Sequence, residues 1–467
     1  MVGQHWFAGR SAFTEGNKMS QMIYPTTNLM ATEQLVIERG EGVYVYDNEG
    51  RRYLEGMSGL WCTALGYGNE EVIQTATEQM RKLTYSHMFG GKTHPAAMAL
   101  ADKLSSMVPM DDARVFFGSS GSDANDTQIK LLRYYFSAIG KPEKFKIIAR
   151  ERAYHGVTVA AAALTGLAPN HTHFDLPFDA LGVLRTGAPH HYRDGLPGET
   201  EEEFASRRAD ELEQLILAEG PNTIAAFIAE PVSGAGGVLV PPPGYFEKIQ
   251  AVLSKYDILM WDDEVICGFG RTGADFGATT YGIQPQMMCL AKALSSAYMP
   301  LSAAIITGDM YEPMIQASAE VGVFGHGYTY SGHPVACAVA SKVIEIYERE
   351  NLFAHAAEIG NYLQLRLREF ESHPLVGEVR GVGLIAALEL VADKSTKQAF
   401  ADNAVGGFCM KASEKHGMIV RAMGGNSIAL CPPLIINEKQ VDELIDKLGM
   451  ALADTLDYVT RENLMVA

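Results

Sequence analysis

The sequence predicts an α/β protein: a large domain around a mostly parallel central sheet, and a smaller α+β domain built from both termini. The chain has 467 residues, more than one hydrophobic core usually organises, so two domains are expected. In its middle part, short and nearly continuous apolar runs alternate with longer helical segments. That alternation is typical of strands buried on both faces of a parallel sheet.

The N-terminal element is a predicted hairpin between Gly42 and Tyr53. Valines and tyrosines at positions 43–46 lead into Asp47-Asn48-Glu49-Gly50, and Asn and Gly are residues that a tight turn favours. We assign residues 1–68 to the N-terminal part of the small domain.

Residues 69–335 are assigned to the large domain. Six apolar runs are predicted strands of its sheet: 115–117, 146–149, 223–229, 258–261, 287–290 and 303–306. The segment 201–218 has apolar residues at helical spacing and an acidic first turn, so it fits a helix that covers the sheet.

Residues 336–467 are assigned to the C-terminal part of the small domain. Two long helical patterns follow Ser331, residues 377–390 alternate as a strand does, and a last helix is predicted near 438–456.

Composition narrows the function classes. The chain is 47% apolar and 20% charged, as globular proteins are, and its net charge of −18 opposes binding to nucleic-acid backbones. Met1 to Lys18 lack the apolar core of a secretory signal, and no apolar run approaches the roughly 20 residues that a membrane crossing needs. Six cysteines without a CxxC pair favour reduced thiols over a zinc site. We therefore expect a cytoplasmic protein with no membrane or nucleic-acid partner and no metal.

Polar residues directly after the apolar runs are the first candidates for a site, because open α/β sheets bind ligands at the carboxyl ends of their strands. After Phe117 comes a Ser/Gly-rich segment, 118–125, followed by a helical pattern. Its small residues let backbone N–H groups approach an anion, so it is either a phosphate cradle or a loop that only caps the helix.

The second candidate is the acidic triplet Asp262-Asp263-Glu264 at the end of the run 258–261. Adjacent carboxylates repel one another unless a cation compensates at least one of them. The triplet therefore indicates either a metal site or a single carboxylate that faces a cationic ring nitrogen.

The third candidate is Lys292, which follows the buried run 287–290 between Ala291 and Ala293. A desolvated ammonium group is costly, so such a lysine tends toward a lowered pKa and nucleophilic amine chemistry.

Together these motifs resemble the signature of class III aminotransferases, the ω-aminotransferase group of pyridoxal 5′-phosphate (PLP) fold type I. Asp263-Glu264-Val265 precedes a Gly268–Gly273 segment that also matches GxGxxG, and Lys292 follows Asp263 after 29 positions (292 − 263). Further segments resemble the family in the same order: Gly121-Ser122, Tyr154-His155-Gly156, Glu230-Pro231-Val232 and 326–334. The resemblance runs from about Gly42 to Leu452.

The resemblance implies PLP as cofactor, held by Lys292 as a Schiff base. Asp263 would pair with the pyridine nitrogen and keep it protonated, Tyr154 would stack on the ring, and Val265 would pack against its other face. Lys292, Asp263 and Tyr154 form the expected catalytic set. The expected cofactor-binding set is Ser120, Gly121, Ser122, Tyr154, His155, Glu230, Asp263, Val265, Lys292 and Thr329.

Amino transfer through pyridoxamine phosphate would then use Lys292 as the proton shuttle. Thr329 and Phe89 lie in segments that resemble ones serving the neighbouring subunit, so a homodimer or a dimer of dimers is implied.

The segment around Arg421 resembles the amine:pyruvate branch, in which an arginine binds the keto acid carboxylate. Leu60, Trp61, Phe89 and Ala235 resemble the substrate pocket and make it apolar. We therefore predict transfer from a hydrophobic primary amine to pyruvate.

Several alternatives stay open. Within the family they are a diamine, taurine or β-amino acid aminotransferase, and within the fold a PLP mutase or decarboxylase. A non-catalytic PLP-binding relative and a metal-dependent hydrolase built on residues 262–264 are the other classes.

Overall fold

The protein is described by a computed structural model over residues 22–29 and 34–465. The prediction made for Met1 to Lys18 lies outside the described residues. The predicted hairpin is confirmed. Three antiparallel strands follow one another: β1 (Ile37–Glu41), β2 (Tyr44–Asp47) and β3 (Arg52–Glu55).

The large domain is built on a seven-stranded mixed sheet in the order β4-β10-β9-β8-β7-β5-β6. Its strands are β4 (Arg114–Gly118), β5 (Lys146–Arg150), β6 (Val183–Thr186), β7 (Ile224–Ala229), β8 (Leu259–Asp263), β9 (Met287–Leu290) and β10 (Ser302–Ile306). All pairings are parallel except those of β10, which runs antiparallel to both β4 and β9. All six predicted runs are strands, and the α/β class is confirmed.

Burial explains why these runs form strands. Every residue of β7, β9 and β10 is buried, as expected for strands covered on both faces. The edge strand β6 was missed because its four residues, Val-Leu-Arg-Thr, are mostly half-buried and form no apolar run.

Helices cover the sheet and connect its strands. In chain order they are α1 (Ser58–Trp61), α2 (Glu70–Lys82), α3 (Pro95–Met107), α4 (Gly121–Ala138), α5 (Val159–Leu164), α6 (Phe178–Leu181), α7 (His191–Asp194), α8 (Glu201–Glu219), α9 (Tyr245–Lys255), α10 (Gly277–Tyr281), α11 (Gly308–Val321), α12 (Pro334–Arg349), α13 (Leu352–Leu367), α14 (Ala404–Lys415) and α15 (Glu438–Arg461). The predicted helix over 201–218 is α8. It starts with a capping box in which Thr200 and Glu203 exchange hydrogen bonds.

A four-stranded sheet forms near the C-terminus, in the order β11-β12-β15-β14. Its strands are β11 (Val376–Val382), β12 (Ile385–Leu390), β14 (Arg421–Met423) and β15 (Ser427–Leu430), and the short strand β13 (Met418–Ile419) lies outside it. The single strand predicted over 377–390 is wrong: the chain turns at Gly383, whose φ of +52° suits glycine, and returns as an antiparallel partner.

The C-terminal part and the N-terminal hairpin share a sheet, because β13 pairs in parallel with β3. This agrees with a small domain drawn from both ends of the chain, while the boundaries at residues 68 and 335 stay predictions. Among the described residues, no helix is both long and apolar enough to cross a membrane.

Candidate active site

A cavity of about 660 Å³ lies at the carboxyl edge of the central sheet. Residues at the ends of β4, β5, β7, β8 and β9 line it. Because β10 runs the other way, it contributes the residues before its start, Met299 to Leu301. The cavity brings together thirteen of the predicted site residues: Leu60, Trp61, Ser120, Gly121, Ser122, Tyr154, His155, Glu230, Ala235, Asp263, Val265, Lys292 and Arg421.

Asp263 is the last residue of β8 and is only 3% exposed. Its Oδ2 lies 2.8 Å from His155 Nδ1 and accepts a hydrogen bond from Asn125 Nδ2 at 2.9 Å, while Oδ1 accepts one from the Val265 N–H at 3.2 Å. Burial by itself would raise the pKa of Asp263, but these donors outweigh it and hold the pKa below its ordinary value. The site therefore keeps an ionised carboxylate at its base.

Lys292 begins a short 3₁₀ turn directly after β9. Burial lowers the pKa of its amine, although Asp263 and Glu230 act in the opposite direction. Its φ of +47° is unusual for a residue with a side chain, and such strain concentrates at functional sites. Within the described part of the chain, its amine has no hydrogen bond or ion pair. The lowered pKa favours the nucleophilic form of the amine.

The Ser/Gly-rich segment after β4 leads into α4 and caps this helix, while the phosphate cradle stays a prediction. Ser120 is the N-cap: its Oγ accepts the Asp123 N–H, and the Asp123 carboxylate in turn accepts the N–H groups of Ser119 and Ser120. The N–H groups of Gly121 and Ser122 open the helix and have no intrahelical acceptor. A Cβ at Gly121 would lie 3.0 Å from the Val265 side chain, so glycine avoids a tight contact there.

Glu230, directly after β7, supports two walls of the cavity. Its Oε1 accepts the Tyr154 N–H at 3.0 Å and its Oε2 accepts the Gly234 N–H at 3.1 Å. Burial raises the pKa of this carboxyl group. Glu230 thereby positions the segment that bears Tyr154 relative to the turn that bears Ala235.

Arg421, the first residue of β14, lines the cavity together with apolar residues such as Leu60, Trp61 and Met423. Its guanidinium group makes no hydrogen bond or ion pair with another described residue, and burial lowers its pKa. An unpaired, partly desolvated arginine is well suited to bind a carboxylate in two places at once.

Thr329 and Phe89 lie away from this cavity. Thr329 is exposed, and its carbonyl accepts a hydrogen bond from Tyr85 Oη at 2.7 Å. Phe89 is 49% exposed. Their placement on the surface leaves both available to a neighbouring subunit.

Asp262 and Glu264 flank Asp263 but do not line the cavity. Burial raises the pKa of both carboxyl groups, and the nearby charge of Glu264 raises the pKa of Asp262 further. Glu264 Oε1 also accepts the Ala278 N–H at 2.6 Å. Of the acidic triplet, only Asp263 therefore lines the cavity, which favours the interpretation of a single carboxylate over a metal site.

Sequence reasoning missed Asn125, which joins the Asp263 carboxylate to the His155 carbonyl. Cys62 and Met423, which lie in the segments predicted around Trp61 and Arg421, also line the cavity. A single asparagine within a helical pattern carries no signal of its own; only the fold of α4 against β8 brings it to the carboxylate.

Comparison with known proteins identifies the family. The family described as Aminotransferase class-III matches residues 27–452. The chain is 48% identical over 453 residues to a rice protein (Oryza sativa subsp. indica) named "Probable gamma-aminobutyrate transaminase 2, mitochondrial", covering 96% of this chain and 90% of that protein.

Solved structures agree with this assignment. The omega transaminase from Pseudomonas jessenii in complex with PMP superposes with a TM-score of 0.92 at 51% identity, covering 94% of this chain and 97% of that one. A structure titled "Transaminase with L-ala" gives 0.89 at 52% identity, covering 91% of this chain and 100% of that one. The chain belongs to the class III aminotransferases. It is a PLP-dependent enzyme of fold type I, as the sequence predicted.

The cavity fits this cofactor on its own chemistry. Lys292 supplies an unpaired amine, Asp263 an ionised buried carboxylate, and the start of α4 two N–H groups beside a glycine at which a side chain would crowd Val265. These residues would hold the aldehyde end, the ring nitrogen and the phosphate of PLP.

Proposed function

We propose that the enzyme transfers the amino group of a primary amine with an apolar substituent to pyruvate. The observation that carries the proposal is Arg421: it is the one arginine among the described residues that line the cavity, and it is unpaired. One guanidinium group serves one carboxylate, as in pyruvate. The apolar surroundings, which include Leu60, Trp61 and Ala235, suit a hydrophobic amine.

Bound PLP supplies an electron sink that acidifies the C–H bond beside the substrate nitrogen. The residues of the chain then have separate tasks. Asp263, kept ionised by three donors, holds a proton on the ring nitrogen. The Lys292 amine, whose pKa burial lowers, first holds the cofactor covalently and, once displaced, accepts and returns the substrate proton. Tyr154 and Val265 hold the ring from the cavity walls.

Arg421 would bind the carboxylate of pyruvate during the second half of the reaction. When the donor amine has no carboxylate, the same side chain must leave the apolar pocket or stay hydrated. Its lack of fixed partners permits either arrangement, since no hydrogen bond has to be broken.

A second candidate donor is 4-aminobutyrate. The rice and tomato relatives are named gamma-aminobutyrate transaminases at 48% identity. The single carboxylate of this donor matches the single free arginine. Both candidates share the same chemistry at Lys292, and the difference concerns only what Arg421 contacts in the first half of the reaction.

A panel of donors and acceptors separates these possibilities. Aromatic primary amines, 4-aminobutyrate, diamines, taurine and β-alanine would each be tested with pyruvate and with 2-oxoglutarate, and alanine or glutamate would be measured. We expect the aromatic amines with pyruvate to give the highest kcat/KM. Preference for 2-oxoglutarate, or keto product without an equal amount of alanine, would refute the proposal.

We further propose a homodimer, in which the exposed Thr329 and Phe89 reach the partner's cavity, and a cytoplasmic location. The names of the rice and tomato relatives contain the word mitochondrial. Fractionation of cells that make the enzyme would distinguish a mitochondrial from a cytoplasmic location.

A further inference from the structure

The turn Gly234–Val238 forms one wall of the cavity and carries Ala235. It is closed by a short antiparallel bridge between Ser233 and Leu239 and by two hydrogen bonds to the Gly234 carbonyl. Gly237 has a φ of +117° and Val238 a φ of +55°. A β-branched residue in the left-handed region is strained, so contacts outside the turn must hold it in place.

Two arginines provide these contacts, the half-buried Arg152 and the buried Arg380, and we call them the arginine bracket. Arg152 Nη2 donates to the Gly236 carbonyl at 2.6 Å. Arg380 donates to the Gly237 carbonyl through Nε at 2.9 Å and Nη2 at 2.6 Å, and to the Val238 carbonyl at 3.1 Å. The turn also packs closely against the backbone of Arg152, because a Cβ at Gly236 would lie 2.1 Å from the Arg152 carbonyl oxygen.

Arg380 also connects the turn to the strand that bears Arg421. Its Nη2 donates to Ser427 Oγ at 2.9 Å, and Ser427 pairs with Met423 across β14 and β15. Met423 lies two residues after Arg421 and lines the same cavity. One guanidinium group therefore contacts both the turn that carries Ala235 and the strand that pairs with β14.

A carboxylate cluster holds Arg380 in this position. Its Nη1 donates to Glu378 at 2.5 Å and Glu389 at 2.6 Å, and Glu378 also lies 3.0 Å from His190 Nε2. His190 and the two glutamates lie close enough together to hold a metal ion, but Arg380 already occupies both carboxylates. Arg152 Nη1 lies 2.7 Å from His190 Nδ1, so this nitrogen accepts and Nε2 carries the proton toward Glu378. His190 is therefore neutral and hydrogen-bonded at both nitrogens, and it connects Arg152 to Arg380 through Glu378.

We propose that Arg152 and Arg380 are positioning residues that fix the Ala235 turn relative to the Arg421 strand and thereby set the width of the substrate pocket. This inference rests on the proposed function, because its first test measures KM for the amine donor. Neither arginine lines the cavity, so both act through the turn. Loosening the turn should weaken substrate binding and leave the chemistry at Lys292 and Asp263 intact.

The test compares Arg152→Met with Arg193→Met. Arg152 contacts neutral partners, so its loss leaves no carboxylate bare. Arg193 donates to Glu389 of the same cluster and does not touch the turn. Arg193→Met removes the same charge as Arg152→Met. We expect Arg152→Met to raise KM for the amine donor about fivefold or more with kcat within about threefold, and to speed amide hydrogen exchange over residues 233–239 about tenfold. Arg193→Met should leave both quantities as in the wild type.

Arg380→Lys is the second variant, because it keeps the charge but loses the planar fork. We expect it to reproduce the faster exchange over 233–239. Wild-type KM and exchange in Arg152→Met, equal changes in Arg193→Met, or wild-type exchange in Arg380→Lys would each overturn the proposal. If the wild-type enzyme turns over no amine with pyruvate, the proposed function fails, while the exchange comparison still decides the role of the bracket.

Discussion

Replacing Asp263 by Asn isolates the charge at the base of the site. The carboxylate accepts three hydrogen bonds, two of them at Oδ2 from His155 and Asn125. In the variant, the amide oxygen must face those two donors, which turns the NH₂ group toward the Val265 N–H and the ring nitrogen of PLP. That nitrogen then loses its anionic partner. Breaking one member of a buried charge pair costs about 3–5 kcal/mol, which corresponds to a loss of about 10²- to 10⁴-fold in kcat.

Asp262→Asn is the matched control on the same strand. Asp262 is fully buried and does not line the cavity, burial raises the pKa of its carboxyl group, and the Asn side chain has the same shape. We expect its kcat to stay within about threefold of the wild type. The assay is single-turnover conversion of an amine donor by the PLP-loaded protein. Asp263→Asn at more than a tenth of the wild-type rate, or equal losses in both variants, would refute the role given to Asp263.

Three further predictions concern the amine, the acceptor site and stability. Lys292→Ala should lower turnover about 10³-fold or more while PLP still binds reversibly, measured by dialysis and steady-state rates; turnover near the wild-type level would contradict this. Arg421→Gln should raise KM for pyruvate about 10- to 150-fold and leave KM for an apolar amine nearly unchanged, as separate saturation curves would show; equal shifts would count against selective carboxylate binding. Burial raises the pKa of Glu55 from 4.5 to about 7, so the folded state binds the extra proton between these values. Relative to Glu55→Gln, the wild type should therefore lose up to about 3 kcal/mol of stability as the pH rises from about 4.5 to above 7. Denaturation midpoints that change with pH by the same amount in both proteins would exclude the effect.

The sequence was most informative where an apolar strand ends in a charged residue. Asp263 and Lys292 follow fully apolar runs, and the parallel order of β8 and β9 carries both to one edge of the sheet. The antiparallel direction of β10 could not be predicted, because an apolar run has the same composition in either direction. The turn at Gly383 was hidden for a related reason: valine and leucine continue on both sides of it.

Residues that act through tertiary contacts could not be predicted. Asn125 reaches Asp263 across 138 positions of sequence, and Arg380 reaches Gly237 across 143. Neither sits in a local pattern that separates it from a surface residue. Thr329 and Phe89 pose a different problem, since the cavity of one chain does not include them and a second chain would have to supply the contact.

The visible absorbance of the purified, PLP-loaded protein tests the central claim most directly. Addition of an aromatic primary amine should bleach it, addition of pyruvate should restore it, and one alanine should form for each ketone released. The same cycle should be absent in Lys292→Ala. An absorbance that the amine leaves unchanged, or that 2-oxoglutarate restores while pyruvate does not, would contradict amine transfer to pyruvate at this site.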